Sequence, residues 1–301
     1  MPRTFLLVLA TSLLTACAAI SSVSSSVSSA VTGLWSGAEE SGEAPTDAGI
    51  ALEAGSDSAI LLTDSACRAA FSRPAVGTGL EAPGNLALLN WNIGKTRRQG
   101  WVGDLRRLSL GKQLVLLQEA TDDMLGNPIL PPYRDLAPGF STNLDVSGVA
   151  TFSTMEPDVT CHLNTVDAIL RLPRAMQITR YPLGDAGSSL AVANIHMNNL
   201  SPDFTAYRRQ LDRLISVLEV HEGAVIVSGD FNSWSNARYR LLSRRMDAMG
   251  ARVVGFPEGG RSRFIGETVD HVFVAGLTVE EARAHDVDSS DHNPLSLRFS
   301  L

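Results

Sequence analysis

Apolar residues fall along the chain in short runs separated by polar and glycine-containing segments. Leu86-Ala87-Leu88-Leu89-Asn90-Trp91-Asn92 and Leu114-Val115-Leu116-Leu117-Gln118-Glu119 have the length and composition of strands. Further strands are predicted over Gly148–Ser153, Ala175–Tyr181, Leu190–His196, Ala224–Gly229, Thr268–Ala275 and Pro294–Phe299. Two segments carry the helical period instead. The first runs from Pro202 to about His221, with Ser201 as N-cap, Pro202 at the first helical position, and Phe204, Tyr207, Leu211, Leu214, Ile215 and Leu218 in one apolar stripe. The second, from about Asn236 to Met249, places Tyr239, Leu242 and Met246 on its inner face. Strands outnumber helices and many neighbours are close in sequence. This predicts antiparallel or mixed sheets covered by helices, an α/β sandwich rather than a doubly wound parallel sheet.

The N-terminus reads differently. Met1-Pro2-Arg3 precedes the run Phe5 to Ala10, and Leu14-Thr15-Ala16-Cys17 follows. A basic start, an apolar stretch too short to span a bilayer and small residues behind it describe an export signal. The tetrad ending at Cys17 is similar to the lipobox of bacterial lipoproteins, so residues 1–17 are expected to be a signal peptide and Cys17 the lipidated residue. Ala16-Cys17-Ala18 as an ordinary small-residue cleavage site, giving a soluble secreted protein, or retention as an uncleaved anchor, are the alternatives. Ala18 after the cysteine points to the outer membrane. Residues 18–60, with the Ser-rich run from Ser21 to Ser29, show no sustained period and are expected to be a tether, leaving 61–301 as the folded domain.

Composition supports that division. With 44% hydrophobic and 19% charged residues the chain is no disordered polymer, collagen-like repeat, coiled coil or multispan membrane protein. Residues 1–60 hold six acids and one base, which leaves 26 acids and 24 bases in 61–301. The folded part is thus nearly neutral, and its charge neither favours nor excludes a nucleic-acid partner. With Cys17 lipidated, Cys67 and Cys161 remain, an even number outside the cytosol, and they are expected to pair; two buried free thiols are the alternative.

Candidate chemistry lies where the strands end. Asn92, Glu119, His196, Asp230 with Asn232, and Asp291 with His292 each fall at or just past a predicted strand end, and Asp270 lies within one. Singly, each has an ordinary structural role: turn residue, helix-start acid or hydrogen-bonded core histidine. Asp270 amid the apolar run Val269 to Val274 is the exception, because a buried carboxylate needs a partner. Together, carboxylates, amides and two histidines delivered by separate strand ends suit a divalent-metal site at the edge of a sandwich. There is no Gly-x-Ser-x-Gly elbow, His-Glu-x-x-His helix or phosphate-binding Gly-x-x-x-x-Gly-Lys loop.

Six motifs carry a family resemblance: Asn90-Trp91-Asn92-Ile93, Leu117-Gln118-Glu119, Asn194-Ile195-His196, Ser228-Gly229-Asp230-Phe231-Asn232, Val269-Asp270-His271-Val272 and Ser290-Asp291-His292-Asn293-Pro294. Their order and spacing resemble the endonuclease/exonuclease/phosphatase superfamily. Asn92-Ile93-Gly94-Lys95 with Trp101, Asp230-Phe231-Asn232-Ser233-Trp234-Ser235 and Ser290 to Leu295 are most similar to its YafD-like branch. The resemblance covers roughly residues 85–301 and implies a DNase I-like four-layer sandwich, two mixed β-sheets face to face with helices outside and the active site at one rim.

It also implies roles for the residues. Hydrolysing a phosphodiester needs an in-line water, neutralisation of the phosphoryl oxygens and help for the leaving oxygen. Glu119, Asn92 and Asp291 are the expected ligands of Mg²⁺, with Mn²⁺ as a substitute, because hard cations take oxygen donors. Asp230, held by Asn232, orients or deprotonates the water. His292, paired with Asp270, touches the phosphate, and His196 assists the leaving group or the transition-state charge. His271 should face away from the site, and His162, His221 and His285 match no motif. In DNase I-like members the histidine at the His196 position is backed by a glutamate shortly before the strand that begins here near Gly148. This chain has Val146-Ser147 there, with Asp145 the nearest acid. Lys95, Arg97 and Arg98, and Arg261 and Arg263, are basic residues at the rim, and Trp91, Trp101 and Trp234 are candidates for stacking or packing. The expected function is a monomeric Mg²⁺-dependent phosphodiester hydrolase of the cell envelope, nucleic acid ahead of lipid head groups as substrate. A lipid or phosphoinositide phosphohydrolase and a non-catalytic binding lipoprotein that keeps the fold are the alternatives.

Overall fold

The computed structural model describes residues 59–77, 85–141, 146–166, 172–184, 187–199, 204–257 and 260–300. The expected leader, residues 1–17, and all but the last residues of the expected tether lie outside these. Among the described residues no helix is long and apolar enough to cross a membrane.

The strands are β1 (Ala59–Leu61), β2 (Leu86–Asn92), β3 (Leu114–Thr121), β4 (Tyr133–Ser141), β5 (Val146–Ser153), β6 (Val159–Val166), β7 (Pro173–Pro182), β8 (Ser189–His196), β9 (Ala224–Asp230), β10 (Arg252–Val253), β11 (Arg263–Phe264), β12 (Glu267–Thr268), β13 (Asp270–Ala275), β14 (Thr278–Ala284) and β15 (Leu295–Ser300). The α-helices are α1 (Asp64–Phe71), α2 (Trp101–Ser109), α3 (Thr205–Leu218) and α4 (Asn236–Ala248). One sheet has the order β1-β6-β7-β8-β9-β13-β10 and the other β14-β15-β2-β3-β5-β4, with β11 and β12 forming a separate hairpin. Both large sheets are mixed: β2–β3, β8–β9 and β1–β6 are parallel, the other neighbours antiparallel.

Strand alternation explains the layering. In β2, Leu86 and Leu88 join Leu114, Leu116, Leu190, Val192, Ile226 and Val272 in the core between the sheets. Leu89 and Trp91 point outward to pack with Leu105 and Leu108 of α2. On the far side α1, α3 and α4 cover the larger sheet through Phe71, Tyr207, Leu211, Leu214, Leu242 and Met246. Both faces of the central strands are therefore buried, and their sequences read as continuous apolar runs. The result is a four-layer α/β sandwich, two mixed sheets face to face with helices outside.

Two elements differ from expectation. The strand expected over Thr268–Ala275 is interrupted: Glu267–Thr268 pairs with Arg263–Phe264, Val269 gives its carbonyl to the Phe231 N–H (2.9 Å), and β13 starts at Asp270. The helix expected from Pro202 begins at Thr205, with Phe204 as a left-handed N-cap (φ 60°). Ser201 and Pro202 lie outside the described residues. By contrast, α4 keeps its expected bounds within a residue, and its cap Ser235 accepts the Arg238 N–H.

Candidate functional site

The register of the larger sheet builds half of the site. His196 at the end of β8 pairs with Asp230 at the end of β9, and Asp230 pairs with Asp270 at the start of β13, so three chemically active residues share one rung. Gly229 permits this approach: at φ 149°, a Cβ there would lie 2.0 Å from the Ile195 carbonyl oxygen. The smaller sheet supplies Asn92 from β2 and Glu119 from β3. Glu119 sits in a bulge between Gln118 and Ala120 and holds φ 51°, an unfavourable conformation for a side chain with a Cβ. The bulge lets Glu119 leave the alternation of β3 and face the rim, where its Oε1 lies 3.9 Å from His196 Nε2. Asn92 joins the two halves, its Nδ2 donating to Asp230 Oδ2 at 3.1 Å.

Asp270 Oδ2 accepts from His292 Nδ1 at 2.8 Å, and His292 Nε2 lies 3.8 Å from Asp230 Oδ2. Burial alone would lower the His292 pKa, but the carboxylates of Asp270, Asp230 and Asp291 outweigh it and lift it to about 10. Burial pushes Asp230 up to about 6, reinforced by Asp270 and opposed by His292 and by hydrogen bonds from Asn232 and Asn92. Asn232 holds Asp230 by its backbone: its N–H donates to Asp230 Oδ1 at 2.9 Å, while its side chain donates to the Met197 carbonyl.

His196 is buried, and Arg174 of β7 stands against it, Nη1 donating to Nε2 at 3.0 Å. Burial first, then the charges of Arg174, His292 and Lys95, hold the His196 pKa well below its ordinary value, so the ring is neutral and accepts a hydrogen bond. The side chain found against His196 is thus an arginine from β7, whereas the resemblance points to an acid ahead of β5. Asp145 lies outside the described residues.

Asp230, Asp270 and His292 form the one group of three metal-ligating side chains found together among the described residues, their ligand atoms all within 4.8 Å of one another. Asp270 and His292 are already bonded to each other, and an imidazolium has no lone pair for a metal, so we read this group as an acid–base array. The residues at the outer rim fit a hard cation better. Glu119 is 29% exposed, Asp291 is exposed, and the Asn92 amide oxygen accepts the Gly94 N–H at 3.1 Å. A Cβ on Gly94 would come within 3.3 Å of Asp291 Oδ1, so glycine keeps that carboxylate unobstructed. Two carboxylates and an amide oxygen are donors suited to Mg²⁺ or Mn²⁺.

The loop carrying Asp291 and His292 is pinned from three sides: Trp91 Nε1 donates to the His292 carbonyl (2.9 Å), Ser290 Oγ to the Asn92 carbonyl (2.7 Å), and Arg98 Nη1 to the Ser290 carbonyl (2.8 Å). Trp91 and Arg98 are therefore structural. So is Trp234, which lies over the Arg238 guanidinium (4.6 Å) and donates to Asn199. Arg238, fully buried, donates to the carbonyls of Asn198, Asn199 and Asn232 and fixes both strand-end loops. Trp101 packs at the start of α2, and Lys95 lies over the Phe140 ring. His271 faces away from Asp270, contacting Ser233 Oγ at 2.8 Å. His162 meets Asp135, His221 the Ala224 carbonyl and His285 Ser296, all outside the site. Cys67 and Cys161 form a disulfide with Cα atoms 5.9 Å apart. Sequence reading missed Arg174 and Arg238, as neither stands in a motif.

A two-sheet sandwich with acids, amides and histidines converging on one rim defines a class of hydrolytic enzymes, and comparison with known proteins bears on which. The endonuclease/exonuclease/phosphatase family description matches residues 89–292. A UPF0294 protein of Vibrio vulnificus is 38% identical over 226 residues, spanning 74% of this chain and 79% of that protein. One of Yersinia enterocolitica is 37% identical over 217 residues, spanning 71% and 83%. Among solved structures, an endonuclease/exonuclease/phosphatase from Beutenbergia cavernae has the same fold, with a TM-score of 0.56 at 13% identity over 72% of each chain. The chain belongs to the endonuclease/exonuclease/phosphatase family, within its UPF0294, YafD-like branch.

Proposed function

We propose that the protein is a divalent-metal-dependent phosphodiester hydrolase of the cell envelope, acting on nucleic acid. The observation that carries this reading is the array Asp230–His292–Asp270 beside Glu119 and Asn92. A buried carboxylate with a raised pKa lies 3.8 Å from an imidazolium that a second carboxylate fixes in place. In the proposed step Asp230 takes a proton from a water as its oxygen attacks phosphorus. The P–O ester bond breaks on the opposite side, and the leaving oxygen is protonated from solvent. His292 donates from Nε2 to a phosphoryl oxygen, its tautomer set by Asp270. Glu119, Asn92 and Asp291 would hold Mg²⁺, which when bound supplies positive charge against the phosphoryl oxygens. The Cys67–Cys161 disulfide supports an oxidising compartment outside the cytosol, and an export signal with a lipidated Cys17 would hold a monomer on the outer membrane.

One observation favours a second reading, a lipid head-group phosphohydrolase. The β11–β12 hairpin, shortly before Asp270, carries Phe264 and Ile265 at 54% and 75% exposure next to Arg263. Apolar side chains beside a cation suit a lipid interface.

The test is to incubate the purified full chain with plasmid DNA, a chromogenic phosphodiester and sphingomyelin vesicles, in Mg²⁺ or EDTA, beside His292→Ala. Metal-dependent turnover lost in the variant is expected, with DNA the preferred substrate. Preference for the vesicles would select the lipid reading. Absence of both metal binding and turnover would overturn hydrolysis and leave a binding lipoprotein.

A further inference from the structure

The mechanism above leaves Arg174 without a role, yet its placement is unusual. It is the second residue of β7, half-buried, and its Nη1 lies 3.0 Å from His196 Nε2 and 3.5 Å from Nδ1. Those ring nitrogens are its only polar contacts among the described residues, and no carboxylate there lies within ion-pair distance. Three more deeply anchored arginines are met differently: Arg180 pairs with Asp158 and two carbonyls, Arg213 pairs with Asp64, and Arg238 donates to three carbonyls. The Arg174 Nε is buried with no acceptor, and Nη2 has none among the described residues. A guanidinium cannot shed its charge, and removing one from water without a carboxylate is costly. A bound anion would complete the arrangement by accepting from the free N–H groups.

The surroundings say which anion. His196 Nε2, on which Arg174 rests, is 3.5 Å from Asp230 Oδ2 and 3.9 Å from Glu119 Oε1. The guanidinium therefore borders the space between the proposed water-activating carboxylate and the proposed metal ligand, where the reading above puts the phosphoryl group. Arginine is the side chain suited to phosphoryl oxygens, which it meets with directed N–H donors. We propose that Arg174 is a catalytic residue that donates from its guanidinium to a phosphoryl oxygen of the substrate, with His196 as the support that holds it there. The fixed charge of Arg174 replaces the charge that a carboxylate-backed histidine would lend. The bond broken, the bond formed and the proton's path are unchanged, since Arg174 neutralises charge and transfers nothing.

This rests on the phosphodiester reading, and the test separates the two. With Mg²⁺ present, wild type, Arg174→Gln and Arg174→Lys are compared on the chromogenic diester and, by calorimetry, for binding of inorganic phosphate. We expect Arg174→Gln to lower kcat about 100-fold, the effect of removing one charge-stabilising donor, with KM raised by no more than about tenfold. Arg174→Lys should retain part of the lost rate, and added guanidinium chloride should restore part of it to Arg174→Gln but none to His292→Ala. Phosphate affinity should fall about tenfold in Arg174→Gln. A structural role would give no rescue and no selective change in kcat, and either that result or unchanged phosphate affinity and turnover overturns the proposal. If wild type hydrolyses nothing but binds phosphate through Arg174, the anion site stands and the hydrolase reading falls. Should Arg174→Gln fail to fold, the rise in Tm on adding phosphate, compared between wild type and Arg174→Lys, gives the same answer: an equal rise overturns it.

Discussion

At the scale of single residues, the site depends on side chains whose properties their neighbours set. His292 is kept protonated chiefly by Asp270, and burial raises Asp230, so the two stand 3.8 Å apart with both pKa values lifted and their ordinary order kept. That ordering predicts a pH profile. Turnover should rise as Asp230 loses its proton near 6 and fall only as His292 loses its own near 10, giving a broad plateau between. Asp270→Asn removes the charge that holds the His292 proton. Its alkaline limb should move down by at least about one pH unit, with kcat reduced about 100-fold, as measured by kcat/KM from pH 5 to 10. An alkaline limb that stays in place would show that Asp270 does not set the imidazole's charge. Most of these residues are legible in sequence, because Asn92, Glu119, His196 and Asp230 end apolar runs and Asp270 interrupts one. Arg174 is not. It stands near the start of a strand as one polar residue among several, and its partner His196 is brought to it only by the β7–β8 register, which places Met176 opposite Ile195.

At the scale of elements, legibility follows burial. The central strands β2, β3, β8 and β9 are buried on both faces and were readable as apolar runs. The outer strands β4 and β14 were not: β14 reads Thr-Val-Glu-Glu-Ala-Arg-Ala, and bulges between Val279 and Glu281, and between Pro138 and Phe140 in β4, break the alternation. The short helix α1 illustrates a further limit. Eight residues cannot hold a helix in water alone. It is kept by ties from distant residues: the Cys67–Cys161 disulfide, Arg213 on Asp64 and Arg180 on the Ala70 carbonyl. The disulfide closes a loop between residues 94 apart, for which chain entropy gives about 4.7 kcal/mol. Cys67→Ser with Cys161→Ser should therefore lower Tm substantially, while activity at 25 °C survives, since the bond lies in the outer core and the site lies at the strand ends. A double variant with unchanged Tm would show that α1 is secured by its other contacts alone.

At the scale of the whole molecule, the histidines make stability depend on pH. His196, His221, His271 and His285 all have pKa values held below the ordinary value, with burial the leading cause in each. An unfolded chain protonates these groups first, so their contribution is complete above about 6.5 and is lost as pH falls. His292 acts oppositely: its folded pKa is raised, so its contribution is full below about 6.5 and is lost as pH rises toward 10. Asp230 is also raised, and acidification through about 6 relieves its cost. His271 isolates one of these effects. It is stacked on Tyr239 at 5.3 Å, Ser233 Oγ and the Thr268 carbonyl contact its Nε2, and Nδ1 has no partner among the described residues. Burial and the charge of Arg261 lower its pKa to about 4, against the pull of Asp270 and the Thr268 carbonyl. At pH 5 the group lies below its unfolded pKa but above its folded one, and should cost about 2 kcal/mol relative to pH 7.5. Urea unfolding in EDTA, followed at both pH values, should show wild type losing more stability on acidification than His271→Asn by about that amount. Equal losses in the two proteins would mean that His271 accepts a proton in the folded state as readily as in the unfolded one, and that the packing around Ser233 and Tyr239 opens to admit it.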